Sequence, residues 1–294
     1  MPSWNKMGSR REAVARGAQE LRAAGIENPW FEAQVLLART LGLDAVVVMA
    51  HGEVELSAAE AGRFNQALAQ RASRKPMAYI IGVKPFMHWE FIVTEDVLIP
   101  RPETEVLVEK AVFELNRNFP DLPLRLADIG TGSGVIGLSM LALLPSARLT
   151  AVDVSPAALE VARQNAQLLG VRDRVIFSCG DLLSPLEDME EQGFHCVTAN
   201  LPYIAAGEYP GLQPEVRCHE PRGALVSGPD GLCHYRRLLR EVGKFLVPGG
   251  MVFIEIGSTQ GIQVRQLFVD GGFPHPQVEK DLAGHDRVVW ARKE

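Results

Sequence analysis

Apolar residues recur at helical spacing along the first quarter of the chain. Periodic, alanine-rich stretches cover residues 12–24 and 30–41. The run Ser57-Ala58-Ala59-Glu60 has the pattern of a capping box, which opens a helix expected to end near Ser73. The pattern predicts a small helical domain over residues 1–75, whose role is to recognise a partner or to pack.

β-prone residues then predict a linker over residues 76–100. Residues 79–83 and 88–93 are rich in aromatic and β-branched side chains, so we expect two short strands or a β-hairpin. The two prolines of Pro100-Arg101-Pro102 exclude regular structure just beyond. A helix is expected from about Glu103 to about Asn118.

Short apolar runs alternate with helical stretches from residue 124 onward. The strand-like runs cover residues 125–129, 148–153, 175–179, 196–200, 251–256 and 288–292. The helical stretches between them cover residues 134–144, 156–169 and 231–245. This alternation predicts an α/β domain over residues 101–294, with a doubly wound, mostly parallel sheet. The last strand follows a loop, so we expect it to be antiparallel.

Composition and charge favour a soluble globular protein over a membrane protein or a nucleic-acid-binding one. The 294 residues are 47% hydrophobic and 22% charged, which is ordinary for a soluble globular protein. We expect a cytoplasmic protein without a membrane segment, because no apolar run approaches the length that spans a bilayer. The net charge of −6 is uneven, since residues 76–294 carry 20 basic and 28 acidic side chains. Such an acidic portion argues against a broad nucleic-acid-binding face.

The four cysteines indicate neither disulfides nor a metal. None forms a Cys-x-x-Cys pair. The adjacent pairs Cys218-His219 and Cys233-His234 do not have the usual spacing of zinc ligands. We therefore expect free thiols and no metal site.

A glycine-rich turn follows the first strand of the α/β portion. It consists of Gly130, Thr131, Gly132, Ser133 and Gly134. Glycine lets the backbone turn sharply and approach a ligand, and amides at a helix start can face polar groups. Gly132-x-Gly134-x-x-Gly137 also satisfies the dinucleotide fingerprint. A nucleotide-like cofactor is predicted, and both NAD and S-adenosylmethionine remain open at this point.

Acidic residues at the next two strand ends are candidate cofactor ligands. Asp153, followed by Val154, can accept hydrogen bonds from both hydroxyls of a ribose. Ser155 is better placed to cap the following helix, which leaves Asp153 free. Asp181 can accept from an adenine amine while Leu182 packs on the ring, although a plain Gly-Asp turn is nearly as good an interpretation.

The run Asn200-Leu201-Pro202-Tyr203 decides between the two cofactors. It lies at the carboxyl end of a predicted strand, where open α/β sheets bind ligands. The side-chain carbonyl of Asn200 and the backbone carbonyl of Leu201 can together accept both hydrogens of an NH2 group, and Tyr203 offers a flat face. Hydride transfer has no use for such an amine clamp. We therefore predict methyl transfer from S-adenosylmethionine to a planar nitrogen.

These motifs resemble those of the PrmC/HemK family, which methylates the glutamine side-chain amide of peptide-chain release factors. The resemblance covers nearly the whole chain. It is carried by Ala24-Gly25-Ile26-Glu27-Asn28-Pro29, Tyr79-Ile80-Ile81-Gly82, Arg101-Pro102-Glu103-Thr104-Glu105, Glu220-Pro221-Arg222-Gly223-Ala224-Leu225 and Gly228-Pro229-Asp230-Gly231-Leu232. A sister family that acts on a ribosomal protein usually has Arg-Ser-Pro where this chain has Arg101-Pro102-Glu103.

The resemblance implies a Rossmann-like methyltransferase sheet, S-adenosylmethionine as cofactor and S-adenosylhomocysteine as product. It implies that the clamp Asn200-Leu201-Pro202-Tyr203 binds the glutamine of a Gly-Gly-Gln motif. The chain departs from the family's Asn-Pro-Pro-Tyr at Leu201, which keeps the carbonyl but loses the restraint on φ. We expect retained activity, a monomer and no stable nucleic-acid binding. The alternatives are a methyltransferase of nucleic-acid amines, one acting on a ribosomal protein, and a non-catalytic cofactor-binding module.

Overall fold

The structure is a computed structural model that describes residues 8–120, 122–187 and 193–294. It divides into two compact units, one comprising Met1–Gly82 with Gln213–His219 and the other Val83–Leu212 with Glu220–Glu294. Residues 1–7 of the first predicted domain lie outside the described residues. The three-part division at residues 75 and 100 stays a prediction.

The described residues contain eleven α-helices and nine β-strands. The helices are α1 (Arg10–Ala23), α2 (Pro29–Leu41), α3 (Ala45–Ala50), α4 (Ala58–Ala72), α5 (Met77–Ile81), α6 (Glu105–Asn118), α7 (Val135–Leu143), α8 (Pro156–Leu168), α9 (Pro214–His219), α10 (Cys233–Glu241) and α11 (Gly261–Asp270). The strands are β1 (Val83–Phe86), β2 (Trp89–Ile92), β3 (Arg125–Ile129), β4 (Arg148–Asp153), β5 (Val175–Cys179), β6 (Phe194–Ala199), β7 (Leu246–Glu255), β8 (Gln277–Lys280) and β9 (Asp286–Arg292).

The small unit packs α1, α2 and α4 around an apolar core. The capping box predicted at the start of α4 is confirmed, since the Ser57 side chain accepts from the Glu60 amide and the Glu60 side chain accepts from the Ser57 amide. Helix α9 belongs to this unit through Glu215, which pairs with Arg71 at 3.2 Å and with Arg74 at 2.9 Å. These ion pairs are largely shielded from water, so they define where α9 lies within the unit.

The strand predicted over Tyr79–Val83 is wrong, because most of it forms the helix α5. Pro76 stands at the start of that helix, and Gly82 ends it with φ of +83° while its amide donates to the Ala78 carbonyl. A short apolar run does not distinguish a strand from one helical turn, and here the flanking proline and glycine decide. The predicted hairpin exists but begins at Val83, as the antiparallel pair β1 and β2.

The large unit contains a seven-stranded sheet in the order β5-β4-β3-β6-β7-β9-β8. Strands β3 to β7 pair in parallel, and β9 runs antiparallel to β7, as predicted for the last strand. Successive residues of β3 enter different apolar layers, since Leu126 packs with residues of α6 and α7 and Ala127 with residues of α10 and α11. The sheet is therefore covered on both faces, and the predicted Rossmann-like class is confirmed.

The carboxyl ends of the parallel strands meet at one edge of the sheet. Ile129 of β3 is paired with Val152 of β4 and with Ala199 of β6, and Ala199 is paired with Ile254 of β7. The residues that follow each strand therefore lie side by side. This edge is where a doubly wound sheet binds its ligands.

Candidate active site

Three glycines shape the turn between β3 and α7. Gly130, Gly132 and Gly134 have φ values of +71°, +55° and +83°, which other residues adopt only at a cost. The amides of Gly130 and Thr131 both donate to the Val152 carbonyl at 2.9 Å, and the Gly134 amide donates to the Thr131 carbonyl. These three amides already donate hydrogen bonds within the protein. A ligand would therefore contact other atoms of the turn.

Asp128, the second-last residue of β3, attaches the glycine-rich turn to the sheet. Its Oδ2 accepts from Thr131 Oγ1 at 2.7 Å and from the Gly137 amide at 3.2 Å, and its Oδ1 accepts from Thr198 Oγ1 at 2.7 Å. Burial raises the pKa of Asp128, and the two hydroxyls and the amide lower it in part. Asp128 thus joins β3, β6 and α7, a structural role that the sequence motif did not reveal.

Asp153 stands where the sequence predicted it, at the end of β4. Ser155 does cap α8, as predicted, by accepting from the Ala158 amide. The Asp153 carboxylate nevertheless accepts two backbone amides, from Gly132 at 2.8 Å and from Ser155 at 2.9 Å. Burial raises its pKa, and the backbone hydrogen bonds lower it in part. A carboxylate has about four lone-pair sites, so capacity for ribose hydroxyls remains.

A cavity of about 250 Å³ opens at this edge of the sheet. Among the described residues, eleven of the predicted site residues line it: Gly130, Thr131, Gly132, Ser133, Asp153, Val154, Asp181, Leu182, Asn200, Leu201 and Pro202. The predicted residues Gly134 and Tyr203 are outside this lining. Gly134 instead caps α7, and a Cβ there would stand 2.6 Å from Leu138 Cδ1.

Asp181 lies at the rim of the cavity beside an arginine. Its Oδ2 accepts from Arg237 Nη2 at 2.5 Å, and both side chains are about half exposed. An exposed ion pair of this kind contributes little to stability. The Asp181 carboxylate contacts Arg237 and remains accessible to a ligand. Leu182 lines the cavity next to it.

Asn200 and Leu201 follow β6 directly and line the cavity together. The hydroxyl of the buried Tyr235 is 2.7 Å from the backbone carbonyl of Glu255 and 3.4 Å from that of Leu201. A tyrosine hydroxyl has one proton, and the shorter contact is with Glu255. The Leu201 carbonyl therefore keeps acceptor capacity for a ligand amine.

Tyr203 packs behind the cavity, and its backbone is fixed by the chain that follows β7. Gln260 Nε2 donates to the Tyr203 carbonyl at 2.9 Å, while Gln260 Oε1 accepts from the Gly257 amide. A Cβ on Gly231 would stand 2.2 Å from the same carbonyl, which explains why glycine occupies that position. The half-buried ring packs against the apolar layer of β6 and β7. Its proposed contact with a substrate stays a prediction.

The Leu201 side chain fills space beside the glycine-rich turn. It is 4% exposed, and a Cβ on Gly130 would stand 2.8 Å from Leu201 Cδ2. From the sequence, only the backbone carbonyl of Leu201 was predicted to have a role. The structure shows in addition that the Leu201 side chain packs against the glycine-rich turn. Leu201 therefore belongs both to the clamp and to the wall of the cavity.

Charged side chains approach the clamp from three other segments. Arg101 pairs with the buried Glu220 at 2.6 Å, and Arg101 and Thr104 line the cavity. Glu255 ends β7 fully buried, which raises its pKa to about 7, although Thr104, Arg287 and Asn200 lower it in part. Burial also raises the pKa of Tyr203, and the Glu255 charge adds to that.

Comparison with known proteins agrees with this geometry. Residues 12–82 match the model of the PrmC N-terminal domain, and residues 126–221 match a methyltransferase domain. The chain is 45% identical to the release factor glutamine methyltransferase of Moorella thermoacetica, over 96% of this chain and 97% of the relative. It is 40% identical to the one of Caulobacter vibrioides, over 96% of each. The chain belongs to the release factor glutamine methyltransferase family. The resemblance recognised in the sequence is thereby confirmed.

Solved structures agree on the fold of this family member. The T. thermophilus 16S rRNA N2 G1207 methyltransferase, in complex with AdoMet and guanosine, has a TM-score of 0.52 and 16% identity to it. The match covers 72% of this chain and 50% of the other. At that identity the similarity concerns the sheet and its helices. Among the helices of the described residues, none is both long and apolar enough to cross a membrane.

Four residues around the site of this chain were not predicted from the sequence. They are Tyr235, Glu255, Gln260 and Arg287. Each comes from a segment without a recognisable motif, and each acts on the clamp through a backbone carbonyl or a charge. The one available signal was the acidic Glu255 in an otherwise apolar predicted strand, which indicates a buried carboxylate at a strand end.

Proposed function

We propose that this protein transfers a methyl group from S-adenosylmethionine to the side-chain amide nitrogen of the Gly-Gly-Gln glutamine in peptide chain release factors. The family of the chain and the names of its relatives support this activity. The observation that carries the proposal is the position of two acceptors, the Asn200 side chain and the Leu201 carbonyl, at the wall of one cavity. Two adjacent acceptors suit an NH2 group with two donors.

The residues around the cavity fit S-adenosylmethionine. A Cβ on Gly132 would meet no atom within 4 Å, so bare backbone borders the space where a ligand would lie. Asp153 is in place for a ribose, and Asp181 with Leu182 for an adenine amine and ring face. The rest of the lining is largely apolar, including Leu98, Val135 and Ile136, as expected for a nucleoside site.

The bound cofactor supplies an activated methyl group, and the protein supplies position and charge complementarity. An amide nitrogen is a poor nucleophile because its lone pair is delocalised into the carbonyl. Asn200 and the Leu201 carbonyl accept its two hydrogens, which fixes the amide plane and favours positive charge on nitrogen. The nitrogen forms its bond to the methyl carbon as the bond from that carbon to sulfur breaks, and it then gives one proton to water.

A methylation assay with radiolabelled S-adenosylmethionine tests the proposal. Purified protein is offered a release factor, the same factor with the Gly-Gly-Gln glutamine replaced by alanine, bulk RNA and bulk DNA. We expect label in the first protein alone. Label in RNA or DNA would indicate a methyltransferase of nucleic-acid amines instead. Cofactor binding without transfer to any acceptor would indicate a non-catalytic module. We further propose that the active species is a monomer, which sedimentation under the assay conditions would check.

A further inference from the structure

A buried carboxylate that the proposed reaction does not use lies next to the clamp. Strands β6 and β7 are parallel, and their register pairs Ala199 with Ile254. The next residue on each strand is therefore Asn200 on one and Glu255 on the other. Neighbouring parallel strands in register direct paired side chains to the same face of the sheet. Glu255 thus stands beside Asn200 at the ligand-binding edge.

Glu255 is an unusual residue in this position. It is 1% exposed, and among the described residues its Oε2 has no close hydrogen-bond partner. Thr104 Oγ1 is buried and also lacks a close partner in the same part of the chain. The Thr104 and Asn200 side chains nevertheless lie close enough to lower the pKa of Glu255 in part. A buried polar group without a close partner costs free energy, so a functional reason for keeping it is expected.

The chemistry of asparagine provides that reason. Its side-chain amide has an oxygen that accepts and a nitrogen that donates, and the two ends have nearly the same shape. A clamp for an NH2 group works only if the oxygen faces the substrate. An ionised carboxylate accepts and never donates. A carboxylate behind Asn200 therefore favours the orientation with Nδ2 inward and Oδ1 toward the cavity.

We propose that Glu255 is a positioning residue for methyl transfer, whose carboxylate accepts from Asn200 Nδ2 and so turns Asn200 Oδ1 toward the glutamine amide. This inference rests on the proposed function. The carboxylate has a second effect, since methyl transfer moves positive charge from sulfur to nitrogen and a nearby negative charge favours that movement. The hydrogen bonds of catalytic groups often shorten only when substrate binds, which agrees with the lack of a close partner at Glu255 Oε2 among the described residues.

The surroundings set the pH range in which Glu255 is ionised. Its pKa is raised by burial to about 7; Arg287 and the side chains of Thr104 and Asn200 lower it, and the Glu103 carboxylate raises it. The two tyrosines Tyr203 and Tyr235 face the same region, and Arg101 acts on Tyr203. The Arg287 guanidinium is held by Asp281 at 3.0 Å and by the Ile256 carbonyl at 3.2 Å. A protonated Glu255 could donate to Asn200 Oδ1 and reverse the amide.

Glu255→Gln tests this role, because glutamine keeps the shape but can donate as well as accept. We expect kcat to fall about 10- to 100-fold through loss of orientation, with KM for the release factor and Kd for S-adenosylhomocysteine nearly unchanged. The wild-type kcat should rise with pH through about 7, and that of the variant should not. Glu114→Gln is the matched control, since Glu114 is a buried glutamate of α6 that pairs with Lys110.

A second readout does not depend on turnover. The ¹H–¹⁵N signals of the Asn200 side-chain NH2, assigned by comparison with Asn200→Ala, should shift with a midpoint near pH 7 in the wild type and not in Glu255→Gln. An unchanged kcat and pH profile in Glu255→Gln would overturn the inference, as would an equal loss in Glu114→Gln or an Asn200 signal that does not titrate. If the wild type itself methylates no release factor, the proposed function fails, while the spectra still test the contact between Glu255 and Asn200.

Discussion

Asn200 and Asp153 line the same cavity but are expected to act on different steps. Asn200→Ala removes the hydrogen bond that we propose acts in the transition state, so kcat should fall about 100- to 1000-fold. The affinity for S-adenosylhomocysteine should change little. Steady-state kinetics and calorimetry with that product measure the two quantities separately. Equal losses in both would show that Asn200 serves the cofactor only.

Asp153→Ala should have the opposite effect. It removes the proposed acceptor of the ribose hydroxyls and also the acceptor of the Gly132 and Ser155 amides. We expect the affinity for S-adenosylhomocysteine to fall about 10- to 100-fold, since a hydrogen bond to a charged group contributes about 1.5–3 kcal/mol. The kcat at saturating cofactor should remain within an order of magnitude. A calorimetric Kd equal to that of the wild type would contradict the assignment.

Leu201 stands where the Asn-Pro-Pro-Tyr motif implied by the sequence resemblance has a proline, and the structure shows how the leucine is accommodated. Its side chain is buried against the Gly130 turn. Leu201→Pro restores the restraint on φ but removes buried carbon atoms, so we expect less than a tenfold change in kcat and a loss of about 1–3 kcal/mol in the free energy of unfolding. Leu201→Ala, which loses the same packing without the restraint, is the control. A gain in kcat of several orders of magnitude from a near-zero value would show that Leu201 disables the wild type.

At the scale of elements, the segment between α9 and α10 packs against the clamp, with Gly231 next to the Tyr203 carbonyl. Gly231 has φ of +77°, and a Cβ there would stand 2.2 Å from the Tyr203 carbonyl. Gly284 has a similar φ of +84° but would meet no atom within 4 Å, so Gly284→Ala isolates the backbone strain of about 1–2 kcal/mol. We expect Gly231→Ala to cost more than Gly284→Ala in chemical denaturation and to lower kcat as well. Equal costs and unchanged kcat would show that the contact with Tyr203 is unimportant.

The sequence predicted best the short strands that have turn-forming residues close to both ends. The bounds of β3, β4 and β5 agree with the predicted ones, although β5 is a partly exposed edge strand. The predicted bounds of β6 and β7 differ from the observed ones at both ends, although both strands are largely buried. Strand β8 was missed, since its four residues alternate in a partly exposed edge position and include charged side chains. Helix α5 was mistaken for a strand, because its five residues are too few to show a period.

At the scale of the whole molecule, Glu255 links stability to pH. Its pKa in the fold, about 7, lies above the ordinary 4.5, so the folded protein holds a proton that the unfolded chain releases between these values. The free energy of unfolding should therefore fall as pH rises from about 4.5 to about 7, by about 3 kcal/mol from this group.

Glu255→Gln should remove this contribution. The difference in unfolding free energy between variant and wild type, obtained from urea titrations, should increase in favour of the variant between about pH 5 and about pH 8. Glu114→Gln is again the control for the loss of a buried carboxylate. A difference in unfolding free energy between Glu255→Gln and the wild type that stays constant across this range would contradict the raised pKa of Glu255.

The site could be predicted from the sequence only as far as local motifs reach. Gly130 and Asn200 directly follow a strand and Asp153 ends one, so the topology of a parallel sheet was sufficient to bring them together. Tyr235, Gln260 and Arg287 come from α10, the start of α11 and β9, and no spacing in the chain indicates that they support the clamp. Their contacts depend on how the whole sheet packs, which one sequence does not show.

The position of the transferred methyl group is the most direct test of the proposed clamp. Release factor incubated with S-adenosylmethionine and the wild-type protein, or with Asn200→Ala, is digested and mapped by tandem mass spectrometry. We expect one added methyl group, on the side-chain nitrogen of the Gly-Gly-Gln glutamine, formed by the wild type and nearly absent with Asn200→Ala. A methyl group on another residue, or equal methylation by both proteins, would contradict the clamp at the end of β6.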